Sequence, residues 1–295
     1  MTNLIGKYLN PLTDFGFKKL FGSEPNKDFL IDFLNQILPA EHQIKTLTYA
    51  QNEHLGQTEI DRKAIFDLYC IGTSGERFIV EIQKAKQNYF KDRSVFYATF
   101  PIQEQAKSGD WNFQLTPVYT IGILDFTFDE TKNESQLLHQ VELKDQNNKV
   151  FYDKLKFIYI ELPKFNKSDD ELTTQFDKWL YIFKHLAELQ NRPIALQEKI
   201  FKRFFEAAEI AKFSQDERQV YESSLKYYRD IKNVVDTSKE EGIKEGKQVG
   251  EKEKATEIAI NLINLKMDND TIVKATGLSL DQIHELRKSK KRKTS

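Results

Sequence analysis

An α/β sandwich followed by an all-helical C-terminal region is the fold class the sequence predicts. Three observations carry it. Within residues 1–165 the apolar spacing shifts from helical to period two and back. A strand–turn–strand pattern occupies residues 64–83. No strand signal appears between residues 168 and 235. The 295 residues suffice for one large domain or two to three smaller ones. With 39% hydrophobic residues, 22 Phe and 12 Tyr against only 12 Gly and 7 Pro, the chain can bury a core, which excludes disordered and fibrous classes.

The elements follow in order. Phe17, Leu20 and Phe21, then Phe29, Leu30, Phe33, Leu34 and Ile37, recur at helical spacing and are interrupted by Gly22-Ser23-Glu24-Pro25, which predicts two short helices. From residue 44 to 87 the period moves towards two. Residues 64–71 and 77–83 flank the turn Gly72-Thr73-Ser74-Gly75-Glu76 and read as a hairpin. Residues 89–107 return to a helical pattern ending near Gly109, with Pro101 implying a kink or break. Two apolar runs, 118–126 and 157–162, read as further strands.

Residues 166–235 read as a helical subdomain, carried by Trp179, Ile182, Phe183 and Leu186 and by Ile200, Phe201, Phe204 and Phe205. Residues 236–295 read as a charged connector and a small final unit. Six acids and five bases between Asp236 and Lys254 nearly cancel, and Gly242, Gly246 and Gly250 recur every four residues. As a helix this stretch carries a bare face, at a cost of about 1 kcal/mol per Gly relative to Ala. A solvated connector, or one through which copies associate into a homo-oligomer, is the expectation. Helical runs at 258–265 and 271–275, Gly277, and Ser279 with Gln282 as a capping box outline a helix-turn-helix.

The 44 Lys+Arg and 45 Asp+Glu sum to −1, which excludes only a protein that holds DNA by overall charge. Locally, Arg287, Lys288, Lys290, Lys291, Arg292 and Lys293 form a basic tail, read either as tracking phosphates or as a solvating end. Cys70 is the single cysteine and cannot form an intramolecular disulfide. The N-terminus MTNLIGKYLN lacks the order of a signal peptide, and no apolar run approaches ~18 residues, so a cytoplasmic protein without a membrane partner is expected. His42, His54, His139, His185 and His284 show no metal-ligand spacing, and no phosphate-binding glycine loop points to a nucleotide cofactor.

The hairpin is the most informative element. If Gly72 opposes Glu76, then Phe66 faces Ile82, Leu68 faces Val80 and Cys70 faces Phe78, so one face is wholly apolar; a one-residue slip sets apolar against polar. That register puts Asp67 opposite Glu81, with Gln83 further along the same face, and opposed Cβ atoms lie ~4.5–5.5 Å apart. Repulsion between two such carboxylates is relieved by protonating one or by a divalent cation, and carboxylate oxygens suit Mg²⁺. The alternative is pairing with Arg62, Lys63, Lys84 or Arg93. Ile65, Tyr69 and Ile79 make the carboxylate face apolar as well, where stranded charge is costly.

Asp67, the turn, and Glu81-Ile82-Gln83 resemble the core of PD-(D/E)XK nucleases in the variant with Gln for the final Lys. More narrowly, Thr13-Asp14-Phe15-Gly16-Phe17-Lys18-Lys19-Leu20-Phe21, Phe78-Ile79-Val80-Glu81-Ile82-Gln83, and Tyr97 through Gly109-Asp110-Trp111 to Thr116-Pro117-Val118 resemble the Rpn (recombination-promoting nuclease) and transposase family over residues 1–165. The resemblance implies a PD-(D/E)XK core and a Mg²⁺-dependent DNA endonuclease of a bacterial cytoplasm, linked to recombination or mobile elements, with Mn²⁺ able to substitute. In its terms Asp67, Glu81 and the Ile82 carbonyl hold the metal. Asp14 adds an outer-shell or second-metal ligand, or else caps its helix. Gln83 orients a water or contacts a phosphate without adding charge. Lys84 falls on the opposite face by alternation, leaving Lys18 or Lys19 to take the role of the missing Lys. Arg93 and Tyr97, one helical turn apart, contact the DNA backbone or form a structural pair; Lys18, Lys290, Lys291 and Arg292 complete the DNA-contacting set. Two other readings remain: a DNA-binding or assembly protein that does not cleave, and a scaffold for protein contacts.

Overall fold

The computed structural model describes residues 6–50, 53–54, 64–106 and 112–293. Its backbone divides into two compact units, Met1–Lys232 and Asn233–Ser295.

The first unit is built on a six-stranded mixed sheet, with order β1 (Leu47–Tyr49), β4 (Leu68–Gly72), β5 (Arg77–Gln83), β6 (Val118–Leu124), β8 (Val150–Glu161) and β7 (Leu138–Lys144). Strands β5, β6 and β8 run parallel in the centre, and the β4–β5 hairpin and β7 add antiparallel neighbours. A two-stranded ladder, β2 (Glu53–His54) with β3 (Ala64–Ile65), stands apart from this sheet. Every residue of β6 is buried, as expected of a strand covered on both faces. Gly122 on β6 opposes Tyr159, and a Cβ there would lie 3.0 Å from that ring, so the close approach of the strands excludes a side chain.

Helices α1 (Asp14–Phe21), α2 (Lys27–Asn35), α4 (Gln175–His185) and α5 (Lys199–Ala208) form one layer. Their apolar faces share the largest core with the sheet, dominated by rings such as Phe21 stacked on Phe183 at 5.2 Å and Trp179 against Phe201 at 5.0 Å. The Trp179 indole is satisfied by Asp32 at 2.6 Å. Helix α3 (Phe90–Gln103) covers the other face through two smaller clusters: Phe90 and Ala98 with Leu124 and Tyr159, and Tyr97 and Phe100 with Phe66, Tyr69 and Ile79. This is the expected sandwich: a mixed sheet flanked by helices and followed by a helical C-terminal region, the architecture that the resemblance implies.

The second unit contains the end of α6 (Gln215–Asn264), then α7 (Asn269–Thr276) and α8 (Leu280–Lys293). Ala259, Ile263, Ile272, Leu278 and Ile283 form its core. Gly277 closes α7 at φ +71°, and Ser279 and Gln282 cap α8 reciprocally, as the sequence predicts.

Three expectations need correction, and one strand is unmarked in the sequence. The helix predicted over 89–107 spans Phe90–Gln103, and Pro101 falls in its last turn, so it breaks nothing upstream. Strand β8 begins at Val150 rather than 157. Strand β7 gives no clear sequence signal because it is a half-polar edge strand: only Leu138, His139 and Glu142 are even partly buried. Finally, Phe66 packs with Tyr69 and Ile79 instead of sharing a face with Leu68 and Cys70, because the chain bends at Asp67 between β3 and β4. Among the described residues, no helix is long and apolar enough to cross a membrane.

Candidate active site

The predicted hairpin register holds where the strands are regular: Leu68 pairs with Val80, Tyr69 with Ile79 and Cys70 with Phe78. At Asp67 the ladder gives way to side-chain bonds. The Asp67 N–H donates to Glu81 Oε1 at 3.2 Å, and the Ile82 N–H donates to Asp67 Oδ2 at 2.7 Å. Such a break re-aims a side chain beside regular strands, which is a common use of strand irregularity near active sites.

The two half-buried carboxyl groups are electrostatically strained. Burial, then the charge of Asp67, pushes Glu81 up to about 8, against the Asp67 N–H, Arg93 and Lys18. Burial also raises Asp67; the Ile82 N–H, Lys18 and Lys84 oppose this, and the negative charge of Asp14 reinforces it. The backbone donors and surrounding cations oppose the rise, and both groups remain shifted upward. Two hard carboxylates in that condition fit a divalent cation such as Mg²⁺. Among the described residues no group of three or more His, Cys, Asp or Glu is arranged to hold a metal.

Helix α3 supplies the adjoining wall. Gln83 is buried; its Nε2 donates to the Ala85 carbonyl at 2.9 Å, and its Oε1 accepts from Arg93 Nη2 at 2.5 Å. Arg93 also bonds to Gln87, and its guanidinium lies 5.7 Å from the ring centres of both Phe90 and Tyr97. Tyr97 packs on Phe66, and burial followed by the Glu81 charge pushes its hydroxyl up. Sequence spacing pairs Arg93 with Tyr97; the fold adds Gln83 and Glu81 to that group.

Helix α1 supplies the opposite wall. Thr13, not Asp14, is the N-cap: its Oγ1 accepts from the Gly16 N–H at 3.0 Å. Asp14 is the first helical residue, exposed, and paired with Lys18 at 2.8 Å. Lys19 is committed to Glu217 on α6 and rests over the Phe213 ring. Asp14, Lys18, Asn26, Glu217, Val220 and Ser224 help line a cleft of 670 Å³.

Lys84 corrects the sequence reading. Strand β5 ends at Gln83, so alternation no longer governs the next residue. Burial lowers the Lys84 ammonium, and the charges of Asp14 and Asp67 act on it directly, while its Nζ sits 5.1 Å from the Tyr227 ring centre on α6. No periodicity signal could have shown this, because the partners come from three separate elements. Arg62, Lys63 and the Gly109-Asp110-Trp111 motif lie outside the described residues. Lys290, Lys291 and Arg292 belong to α8, and their side chains lie outside the described set.

Compared with models of known protein families, residues 11–238 match the PD-(D/E)XK nuclease family transposase, and residues 252–288 match the C-terminal HTH domain of the Rpn/YhgA-like nuclease family. No curated protein and no solved structure matches the chain.

Proposed function

The chain belongs to the PD-(D/E)XK nuclease family transposases, and from that premise we propose that it is a divalent-metal-dependent DNA endonuclease, with Mg²⁺ as the cofactor and Mn²⁺ as a substitute. The observation that carries this reading is the Asp67–Glu81 pair, two carboxyl groups joined through reciprocal backbone bonds and both raised by burial.

Asp67 and Glu81, with the Ile82 carbonyl, would hold the cation, which when bound polarises the scissile phosphate and lowers the pKa of a water. Asp67 is aimed by the Ile82 N–H, and Glu81 by the Asp67 N–H, bonds that would orient both carboxylates toward a shared cation. Asp14 biases the far side of the pair with further negative charge. Gln83 holds Arg93, and the Arg93 guanidinium supplies beside Glu81 the positive charge that a Lys would otherwise bring. Lys84 and Lys18 add positive charge on the α1 side, where a phosphate backbone would be drawn. The C-terminal helix-turn-helix and its tail of Lys290, Lys291 and Arg292 would hold DNA, and the setting would be recombination or mobile elements in a bacterial cytoplasm.

A second reading, a DNA-binding or assembly protein that does not cleave, is favoured by Gln83 at the Lys position together with the C-terminal HTH match. Plasmid nicking by the purified protein separates the two. Endonuclease function predicts nicking with Mg²⁺ that is lost in chelator and in Asp67→Ala and Glu81→Ala. Unchanged nicking in both variants overturns the site assignment. DNA binding in chelator with no cleavage under any divalent metal establishes the second reading.

A further inference from the structure

Helix α6 is exposed on all sides from Lys232 to Lys254, and its exposed surface has an internal symmetry. Residues three, four and seven positions from Gly246 in either direction share the Gly246 face. They read Lys239, Gly242 and Ile243 on one side and Val249, Gly250 and Glu253 on the other. Reversed end for end, this order is complementary to itself: Lys239 meets Glu253, Gly242 meets Gly250, and Ile243 meets Val249.

We propose that this face is an antiparallel interface between two copies of the chain, with Gly246 on the twofold axis. Ile243 and Val249 are 63% and 56% exposed in the single chain, so each copy offers two apolar side chains without cover. Within the stretch the helix closes Lys247 on Glu251 at 4.0 Å, while Lys239 and Glu253 join no ion pair among the described residues. An antiparallel partner supplies the opposite charge at both ends of the seam. A parallel partner would set Lys239 on Lys239 and Glu253 on Glu253, so charge selects the direction. Nothing lies within 4 Å of a Cβ built at Gly242, Gly246 or Gly250, so these glycines serve no packing need inside one chain. Each weakens the helix relative to Ala. At a helix crossing they let two backbones approach closely enough for Ile243 and Val249 to meet. An isologous contact of this kind closes as a dimer and does not propagate.

Sedimentation of the full-length protein tests the proposal. The wild type sediments as a dimer at micromolar concentration. Lys239→Glu and Glu253→Lys each weaken association by roughly tenfold or more, since each places like charges at two symmetric positions. The double swap restores it. Gly246→Leu abolishes the dimer while the helical circular dichroism stays equal or rises, which separates loss of association from loss of folding. Under oxidation, Lys239→Cys cross-links to Glu253→Cys in a mixture and not to itself. A monomer at every concentration up to about 100 times that range, a double swap that fails to restore association, or self-cross-linking of Lys239→Cys overturns the proposal.

Discussion

Asp67 and Glu81 are joined through each other's neighbourhood on the backbone. The Asp67 N–H bonds to the Glu81 carboxylate at 3.2 Å, and the Asp67 carboxylate takes the N–H of Ile82, the residue after Glu81, at 2.7 Å. Where the β4–β5 ladder would continue, two side chains replace main-chain partners. The substitution satisfies the local donors but leaves the Glu81 carboxyl desolvated beside a second acid, and burial, then the Asp67 charge, raises its pKa.

That cost has a definite sign with pH. The Glu81 carboxyl is raised from 4.5 to about 8 in the folded protein, so between those values the native state holds a proton that the unfolded chain has released. This contribution to stability is fully present below pH 4.5 and is lost as pH rises through about 8. In chelator, thermal melting temperatures therefore fall from pH 5 to pH 8, and the fall is shallower in Glu81→Gln. Added Mg²⁺ raises the melting temperature more at pH 8 than at pH 6, because cation and proton compete for the same oxygens. Equal pH slopes for wild type and Glu81→Gln would show that the pair is not strained.

The superfamily Lys cannot simply be restored. Gln83 is buried with its amide oxygen on Arg93, so Gln83→Lys sets an ammonium against a guanidinium without solvent to screen them. The expected result is lower, not higher, nicking activity, by roughly tenfold or more, and a loss of stability of about 3 kcal/mol or more. Gln83→Lys combined with Arg93→Met relieves the repulsion and recovers part of both. Single-turnover cleavage and urea denaturation of the four proteins form the cycle that measures it.

Thr13 sets the direction of α1 and with it the positions of Asp14 and Lys18. Its buried hydroxyl accepts from the Gly16 N–H and donates to the Asn10 carbonyl at 2.8 Å. Thr13→Val keeps the shape and removes both bonds, which costs about 1–2 kcal/mol. Urea denaturation should show that loss, and nicking should fall with the displaced Lys18 even under conditions where the variant stays folded.

The core of the site was legible because β5 and the regular part of β4 obey strict alternation, which fixes Glu81 and Gln83 on one face and leaves a single register for the apolar side. Alternation fails on either flank. The bend at Asp67 sends Phe66 to the α3 face, and the end of β5 frees Lys84 to lie near Asp67 and Asp14. Both failures occur where strands stop, and the tertiary partners that decide the outcome, Tyr97 and Phe100 for Phe66 and Tyr227 for Lys84, are distant in sequence. Strand β7 leaves little trace in the sequence for a different reason: an edge strand needs no continuous apolar run, and a half-polar one carries little periodic signal.

The proposed DNA contact of the basic tail predicts that nonspecific holding can be separated from cleavage. Lys290, Lys291 and Arg292 lie at the C-terminal end of α8, whose start is capped by Ser279 and Gln282, and each cation that neutralises a phosphate adds about 0.9 to the slope of log affinity against log salt. Replacing all three with Gln should lower that slope by up to about 2.7 on duplex DNA. Because the change is confined to the second unit, the Mg²⁺ concentration that half-activates nicking should not move, and at saturating DNA the cleavage rate should equal that of the wild type. Fluorescence anisotropy between 50 and 200 mM salt, a range suited to such slopes, makes the measurement. An unchanged slope would mean that the tail is a solvated end and that the phosphate contacts come from Lys18, Lys84 and Arg93 beside the acidic pair.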